Sequence, residues 1–234
     1  MDTLLEIEAI EFAGTALGAL TVAVRTKLLV GSRTYPVPAG AMVFPLYDLA
    51  PRASMVLSGT ARSFLTGADG RQLTIRYARR GAIVGKRSEL IGAHAPVAVQ
   101  AVTDCVILEF DRDLLMLTAA SDVSVANAII VDLTKRLEDI YAATADTAFG
   151  SVQQRVVRHL LALAEYGLVD GNRCVRVSQQ QLADATASSR EVVARVLADL
   201  RAANLISTAP REITLHDVDG LVPLLTDWQR VSPY

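Results

Sequence analysis

The feature that most restricts the fold of this 234-residue chain is an unbroken helical stretch near its middle. Neither glycine nor proline occurs from Asp111 to Phe149. Seam positions recur there at alternating intervals of three and four, at Val123, Ala126, Ile130, Leu133, Leu137, Ile140 and Thr144. This heptad spacing predicts one helix of about 30 residues, about 45 Å long.

A helix this long cannot bury such a narrow stripe along its whole length against a small β domain. The simplest partner is a second copy of the helix, which predicts a homodimer. Its interface would hold Val123, Ala126, Ile130, Leu133, Leu137 and Ile140. The alternative is an ordinary helix packed on its own domain. Ile129 and Arg136 lie off the seam, so one flank is available for that packing while the seam dimerises.

Residues 1–112 are predicted to form an antiparallel β-roll. Short apolar runs, including Ala19–Val24 and Lys27–Val30, alternate with glycine and proline at roughly 8–12-residue spacing, which is typical of a sandwich or barrel. The loop Gly67-Ala-Asp-Gly70 separates two such runs and predicts a β-hairpin.

Composition excludes several classes of protein. A net charge of −2 excludes a protein that coats nucleic acid by bulk charge, so any nucleic-acid site must be local. Two cysteines are too few for a disulfide scaffold or a four-thiolate iron–sulfur cluster, and we expect no cofactor. The apolar run Phe12–Val24 follows acidic residues and is too short to span a bilayer. We therefore expect a cytoplasmic protein without membrane contact.

The chain also lacks the residue patterns of an enzyme. His94, His159 and His216 are too dispersed to form a metal-ligand set within a β-barrel. Neither a nucleophile elbow nor a phosphate-binding P-loop occurs in the sequence. We therefore expect neither catalysis nor a bound metal.

The segment from Ser178 to Leu200 predicts two short helices joined by a tight turn. Ser178 with Gln181, and Ser188 with Glu191, have the spacing of capping boxes. The second helix has an apolar face at Val193, Val196, Leu197 and Leu200. Its opposite face carries Arg190, Glu191, Ala194 and Arg195. This is a helix-turn-helix pattern.

The polar face of the second helix suits the DNA major groove. An arginine fork binds guanine O6 and N7, and a carboxylate accepts a hydrogen bond from cytosine N4. Small Ala194 permits close approach of the helix. Alternatively, Glu191 only caps its helix and pairs with Arg195 across one turn.

Val177–Ile206 resembles the winged helix-turn-helix of the bacterial CRP/FNR transcription regulators. The resemblance rests on Gln180-Gln-Leu-Ala and on Ser188-Ser-Arg-Glu-Val-Val-Ala-Arg-Val-Leu. It implies an α+β fold: a cupin-like, cyclic-nucleotide-binding-like roll (1–112), a long dimerisation helix (113–148) and a winged helix-turn-helix domain (149–234). It also implies a regulator of transcription that binds double-stranded DNA.

The same resemblance implies roles for individual residues. Arg190, Glu191 and Arg195 would bind a TGTGA-like half-site in an inverted repeat, with RNA polymerase as a further partner. Ser189 and Gln180 would contact phosphates, and Ile206–Leu215 would form the wing. One departure is Ala187, where the family has glycine. A left-handed backbone there would cost about 1 kcal/mol, so we expect a slightly different turn.

The segment that corresponds to the family's phosphate-binding cassette is degenerate. Gly85 matches, but Lys86 replaces the glutamate that binds the ribose, and the arginine–serine pair falls on Ala95-Pro96. The hydroxyl pair that faces adenine falls on Ile140-Tyr141. This argues against cyclic AMP in the usual mode. The candidate effector residues are Gly85, Lys86, Arg87, Arg76 and Tyr141. The effector stays unknown, and a non-standard cyclic-nucleotide pocket or an effector-independent regulator are the alternatives.

The arginine-rich stretch that includes Arg76 and Arg87 is a second candidate feature. It could bind an anionic small molecule, or it could be a solvated charged face. A further alternative is a nucleotide-binding module whose winged helix contacts protein rather than DNA.

Overall fold

The computed structural model describes Phe12, Thr15 and residues 17–45, 53–85, 97–164, 168–169 and 172–225. The chain forms two compact units. One comprises residues 1–64 and 76–138, and the other comprises residues 65–75 and 139–234.

Among the residues that the structure describes, eight strands form the two antiparallel sheets of the predicted roll. The strands are β1 (Arg33–Val37), β2 (Met42–Phe44), β3 (Ala53–Ser58), β4 (Ala61–Thr66), β5 (Gln72–Ala78), β6 (Ile83–Gly85), β7 (Val97–Ala101) and β8 (Cys105–Phe110). The first sheet has the order β1-β8-β3-β6, and the second has the order β2-β7-β4-β5. The predicted hairpin is confirmed, since β4 and β5 are neighbours and the Gly67 N–H donates to the Arg71 carbonyl at 2.8 Å.

Apolar side chains from both sheets make the core of the roll. Val56 on β3 lies opposite Ile107 on β8, and both are fully buried. Phe44 on β2 and Val84 on β6 belong to the same cluster. Burial of each such side chain stabilises the fold by roughly 1.5–3 kcal/mol.

A short helix replaces two of the predicted strands. Val22–Leu29 is helical (α1), so the strand prediction for Lys27–Val30 is wrong and the run Ala19–Val24 leads into a helix rather than a strand. The Thr21 hydroxyl caps this helix by accepting a hydrogen bond from the Val24 N–H. Leu28 and Leu29 pack with apolar residues of β8. Short apolar runs do not distinguish a strand from a buried helix, and here the capping threonine was the better signal.

The predicted helix over 113–148 is two helices, α2 (Arg112–Ser121) and α3 (Val123–Phe149). They meet at Asp122 with a bend of 111°. The Asp122 carboxylate accepts a hydrogen bond from the Ser124 N–H at 2.9 Å, which starts a new helix without glycine or proline. Among the described helices, none alone is long and apolar enough to cross a membrane, although α2 and α3 meet that test as a bent pair.

The helix α3 has a buried flank and an exposed flank. In the first unit, Val125 is buried and Ile129 is half-buried, both against apolar residues of the roll. On the seam, Val123 is 75% exposed, Ile130 57% and Leu137 46%. Leu133 is also exposed, and Ala126 and Ile140 are half-buried. Most of the predicted seam is therefore left uncovered by the described residues of the single chain.

The second unit is a helical bundle with a small sheet. Its elements are α4 (Val152–Ala164), β9 (Leu168–Val169), β10 (Asn172–Val175), α5 (Gln179–Ala185), α6 (Arg190–Ala202), β11 (Ile206–Ala209), β12 (Glu212–Leu215), α7 (Val218–Leu221) and a 3₁₀ turn (Val222–Leu224). The sheet order is β11-β12-β10-β9. The core includes fully buried Val156 and Leu160 of α4, Leu182 of α5 and Leu221 of α7.

Candidate nucleic-acid interface

The first helix of the predicted helix-turn-helix, α5, starts with the capping box that the sequence predicts. The Ser178 hydroxyl accepts a hydrogen bond from the Gln181 N–H at 3.1 Å, and the Gln181 side chain accepts from the Ser178 N–H at 2.8 Å. Leu182 and Ala183, on the inner side of the helix, are buried. This short helix is thus fixed at its start by two hydrogen bonds and along its length by the core.

The turn between α5 and α6 keeps a left-handed residue although no glycine is present. Ala187 has a φ of +49°, which costs about 1 kcal/mol for a residue with a Cβ. Two hydrogen bonds compensate. The Thr186 hydroxyl donates to the Leu182 carbonyl at 2.8 Å, and the Ser188 N–H donates to the Ala183 carbonyl at 2.9 Å. The turn therefore adopts the left-handed backbone despite the missing glycine.

The second helix, α6, begins one residue later than the predicted capping box. Its N-cap is Ser189, whose hydroxyl accepts from the Val192 N–H at 3.4 Å, so the predicted box of Ser188 with Glu191 is wrong. A hydrogen bond from its own backbone N–H lowers the pKa of Glu191, helped by the Ser189 hydroxyl and by the charge of Arg190. Glu191 is exposed and stays ionised at neutral pH.

The polar face of α6 is uncovered. Arg190, Glu191 and Arg195 are exposed, whereas the apolar face of the same helix is buried in the core. Within the described part of the chain, the side chains of Arg190 and Arg195 take part in neither a hydrogen bond nor an ion pair. Ser189 and Gln180 are exposed beside them, and the Gln180 amide donates to the Asp184 carboxylate at 2.8 Å.

The hairpin β11–β12 is the predicted wing, and it lies beside the start of α6. Its turn holds Arg211 at a φ of +60°, a conformation that favours glycine. A groove of about 430 Å³ is lined by Gln180, Arg190, Thr208 and Arg211, among others. Sequence reasoning did not select Arg211; an arginine after proline in the wing turn was the available signal.

An arginine on α4 fixes the turn that precedes α6. The Arg155 guanidinium donates to the Thr186 carbonyl at 3.1 Å and to the Gly150 carbonyl at 2.8 Å. Burial lowers the pKa of Arg155, and the charge of Asp146 opposes this. Asp146 itself forms a buried ion pair with Arg158 at 2.6 Å. These contacts join the end of α3 to the helix-turn-helix, and sequence reasoning missed them because they depend on distant partners.

The structure describes three of the five candidate effector residues, Gly85, Arg76 and Tyr141. Gly85 ends β6 opposite Ala53, and Tyr141 is exposed on α3. The Arg76 guanidinium lies 3.5 Å from the Asp132 carboxylate of α3. Lys86 and Arg87 lie outside the described residues.

Comparison with known proteins shows which family the chain belongs to. A family model described as a Crp-like helix-turn-helix domain matches residues 154–224, and one described as a cyclic nucleotide-binding domain matches residues 36–121. The transcriptional regulator LdrP of Thermus thermophilus is 34% identical over 156 residues, which span 65% of this chain and 76% of LdrP. The chain belongs to the CRP/FNR family.

Other CRP/FNR proteins agree over a longer stretch. The CRP-like protein Clp of Xanthomonas euvesicatoria is 29% identical over 208 residues, which span 85% of this chain and 90% of Clp. The solved structure of a c-di-GMP-responsive Clp from Xanthomonas campestris matches with a TM-score of 0.72 and 28% identity. That match covers 84% of this chain and all of that one. As a member of this family the chain is a DNA-binding transcription regulator and not an enzyme, as the sequence predicts.

Proposed function

We propose that this protein is a homodimeric regulator that recognises an inverted-repeat DNA site through Arg190, Glu191 and Arg195. The observation that carries the proposal is the exposure of all three side chains on the N-terminal half of α6, whose apolar residues are buried in the core. Arginine and glutamate in the major groove discriminate guanine and cytosine. Ser189 and Gln180 contact phosphates at the same surface, and Arg211 is a further candidate because it lines the adjacent groove.

The spacing along α6 supports contact with more than one base pair. Arg190 and Arg195 are five positions apart, which is about 7.5 Å along the helix axis. Successive base pairs are about 3.4 Å apart, so two residues at this separation can reach different base pairs. Glu191 lies between them in sequence, on the same exposed surface.

The exposed seam of α3 supports the dimer. Val123, Ile130, Leu133 and Leu137 form an apolar stripe that the described part of the single chain leaves uncovered, and a second copy of α3 would bury it. Two-fold symmetry then presents two copies of α6 to two half-sites about 34 Å apart.

The dimer would act in the cytoplasm on promoter DNA with RNA polymerase as its partner. A change at the hinge, residues 148–151, would re-aim the two α6 helices.

In vitro selection from a random double-stranded DNA pool tests this function. The purified full chain is expected to enrich a two-fold inverted repeat whose half-site centres lie about 10 base pairs apart. A guanine and a cytosine are expected at fixed positions of each half-site. Enrichment of an unrepeated motif, or no enrichment over the starting pool, would contradict the proposal.

The effector is a separate part of the proposal. The degenerate cassette supports a protein that does not bind cyclic AMP in the usual mode, although the roll matches the cyclic nucleotide-binding model. The second candidate is a nucleotide-responsive regulator with a non-standard pocket, which the c-di-GMP-responsive relative favours.

Calorimetry separates these two candidates. Titration of the full chain with cyclic AMP is expected to give no saturable heat, because Lys86 stands where a ribose-binding carboxylate is needed. A parallel titration with c-di-GMP tests the second candidate. A micromolar isotherm with cyclic AMP would contradict the proposed loss of the usual site.

A further inference from the structure

A buried charge cluster in the first unit joins α3 to strands β5 and β6. Asp132 of α3 is 6% exposed. Its carboxylate accepts a hydrogen bond from the Arg136 guanidinium at 2.9 Å and lies 3.5 Å from the guanidinium of Arg76 on β5. The side chains of Arg76 and Arg136 are only 10% and 15% exposed. Two cations therefore converge on one carboxylate where little water is present. We call these three residues the Asp132 cluster.

The Asp132 cluster also holds the backbone of β6. The Ile83 N–H donates to the Asp132 carboxylate at 3.2 Å, and Arg136 donates to the Ile83 carbonyl at 2.6 Å. Ile83 begins β6 and pairs with Met55 of β3. Side chains of α3 thus form hydrogen bonds with both the N–H and the carbonyl of Ile83. The cluster therefore attaches the helix to the roll.

Convergent guanidiniums are a binding site for a carboxylate or phosphate, because their planar forks match the geometry of these anions. Buried guanidiniums also need an anion, since an uncompensated buried charge is strongly unfavourable. In this protein the anion belongs to the chain itself. A tethered group acts at an effective concentration of millimolar or more, so a dilute anion in solution competes poorly with Asp132.

We propose that Arg76 and Arg136 form a small-anion site that the chain's own Asp132 occupies, so that the roll is attached to α3 without an anionic effector. If Asp132 is removed, the site takes a small carboxylate such as formate or acetate. The helix α3 continues without a break from the Asp132 cluster to Phe149, before the helix-turn-helix. Vacating the site would therefore also weaken DNA binding, and only this last step depends on the proposed function.

Chemical rescue tests the inference. Asp132→Ala removes the carboxylate and leaves space for one. Its Tm is expected to fall by about 10 °C, because two buried guanidiniums lose the Asp132 carboxylate. At about 100 mM, formate or acetate is expected to restore at least half of the loss relative to chloride at equal ionic strength. The wild-type Tm is expected to respond equally to formate and chloride, since Asp132 fills the site.

Two variants control for shape and for general destabilisation. Asp132→Asn fills the same space without charge, so its Tm is expected to fall and formate is expected to restore none of it. Val125→Ala deletes buried apolar atoms on the same flank of α3 and lowers the Tm through a cavity. Like the Tm of Asp132→Asn, the Tm of Val125→Ala is expected to be the same in formate and in chloride.

The inference is overturned if Asp132→Asn melts at the wild-type Tm, or if folded Asp132→Ala responds to formate no more than Val125→Ala does. If Asp132→Ala does not fold in any buffer, the Tm of Asp132→Asn decides alone. In DNA-binding anisotropy, Asp132→Ala is expected to lose about tenfold in affinity and to recover it with formate, in parallel with its Tm. If the wild type binds no DNA, the proposed function fails while the Tm results still decide the anion site.

Discussion

Leu137→Asp is expected to convert the protein from dimer to monomer. Leu137 lies on the exposed seam of α3, so the substitution places two carboxylates opposite each other in the proposed interface and removes two leucines from it. Full burial of two leucines stabilises by about 3–6 kcal/mol. Because Leu137 is 46% exposed in the single chain, its loss alone weakens the dimer by about 1.4–2.8 kcal/mol, or about 10- to 100-fold in the dissociation constant. Sedimentation equilibrium over nanomolar to micromolar protein measures this change.

The matched control is Lys135→Asp, which places the same residue on the same helix away from the seam. Lys135 is exposed, and we expect its variant to stay dimeric. Circular dichroism is expected to show an unchanged fold for both variants, because Leu137 is 46% exposed in the single chain. A Leu137→Asp protein that sediments as a dimer would show that the seam is not the interface.

Arg195→Ala is expected to remove discrimination at one base pair in each half-site. A bidentate arginine–guanine contact contributes about 1–3 kcal/mol, or about 5- to 150-fold in affinity for each half-site. The loss is expected on the selected site and on variants that keep this base pair. Sites already substituted there are expected to bind wild type and variant almost equally. Fluorescence anisotropy against a panel of single base-pair substitutions measures both.

Arg201→Ala provides the control for charge. Arg201 is an exposed arginine at the other end of the same helix, where it donates to the Thr208 hydroxyl at 3.1 Å. Its removal is expected to weaken binding to all sites slightly and uniformly. If Arg195→Ala gives the same uniform pattern, Arg195 contacts phosphate rather than bases.

The sequence predicted the helix-turn-helix well because the signals that define it depend only on residues close together in the chain. The capping serine Ser178 and the spacing of Val193, Val196, Leu197 and Leu200 determine where α5 and α6 lie and which face is buried. The same reasoning failed at Val22–Leu29, where an apolar run is compatible with both a strand and a helix. It also failed at Asp122, where an aspartate alone interrupts a stretch without glycine or proline.

The residues that fix the position of the site were not predictable from spacing. Arg155 gains its role from the Thr186 carbonyl, 31 residues away in the chain. Asp132 gains its role from Arg76 and from the backbone of Ile83, 49 residues away. Only the pair of Asp132 with Arg136, one helical turn apart, is visible in the sequence. Charged residues on a helix usually face solvent, so only the structure could show that Asp132 and Arg136 are buried.

The most direct test of base recognition is replacement of single guanines in the selected site by 7-deazaguanine. This base keeps Watson–Crick pairing but lacks the N7 acceptor that an arginine fork needs in the major groove. We predict that wild-type protein loses affinity at one or two guanines in each half-site, and that Arg195→Ala is insensitive at one of them. Equal affinity of the wild type for guanine and 7-deazaguanine at every position would contradict the assignment of α6 to base contacts.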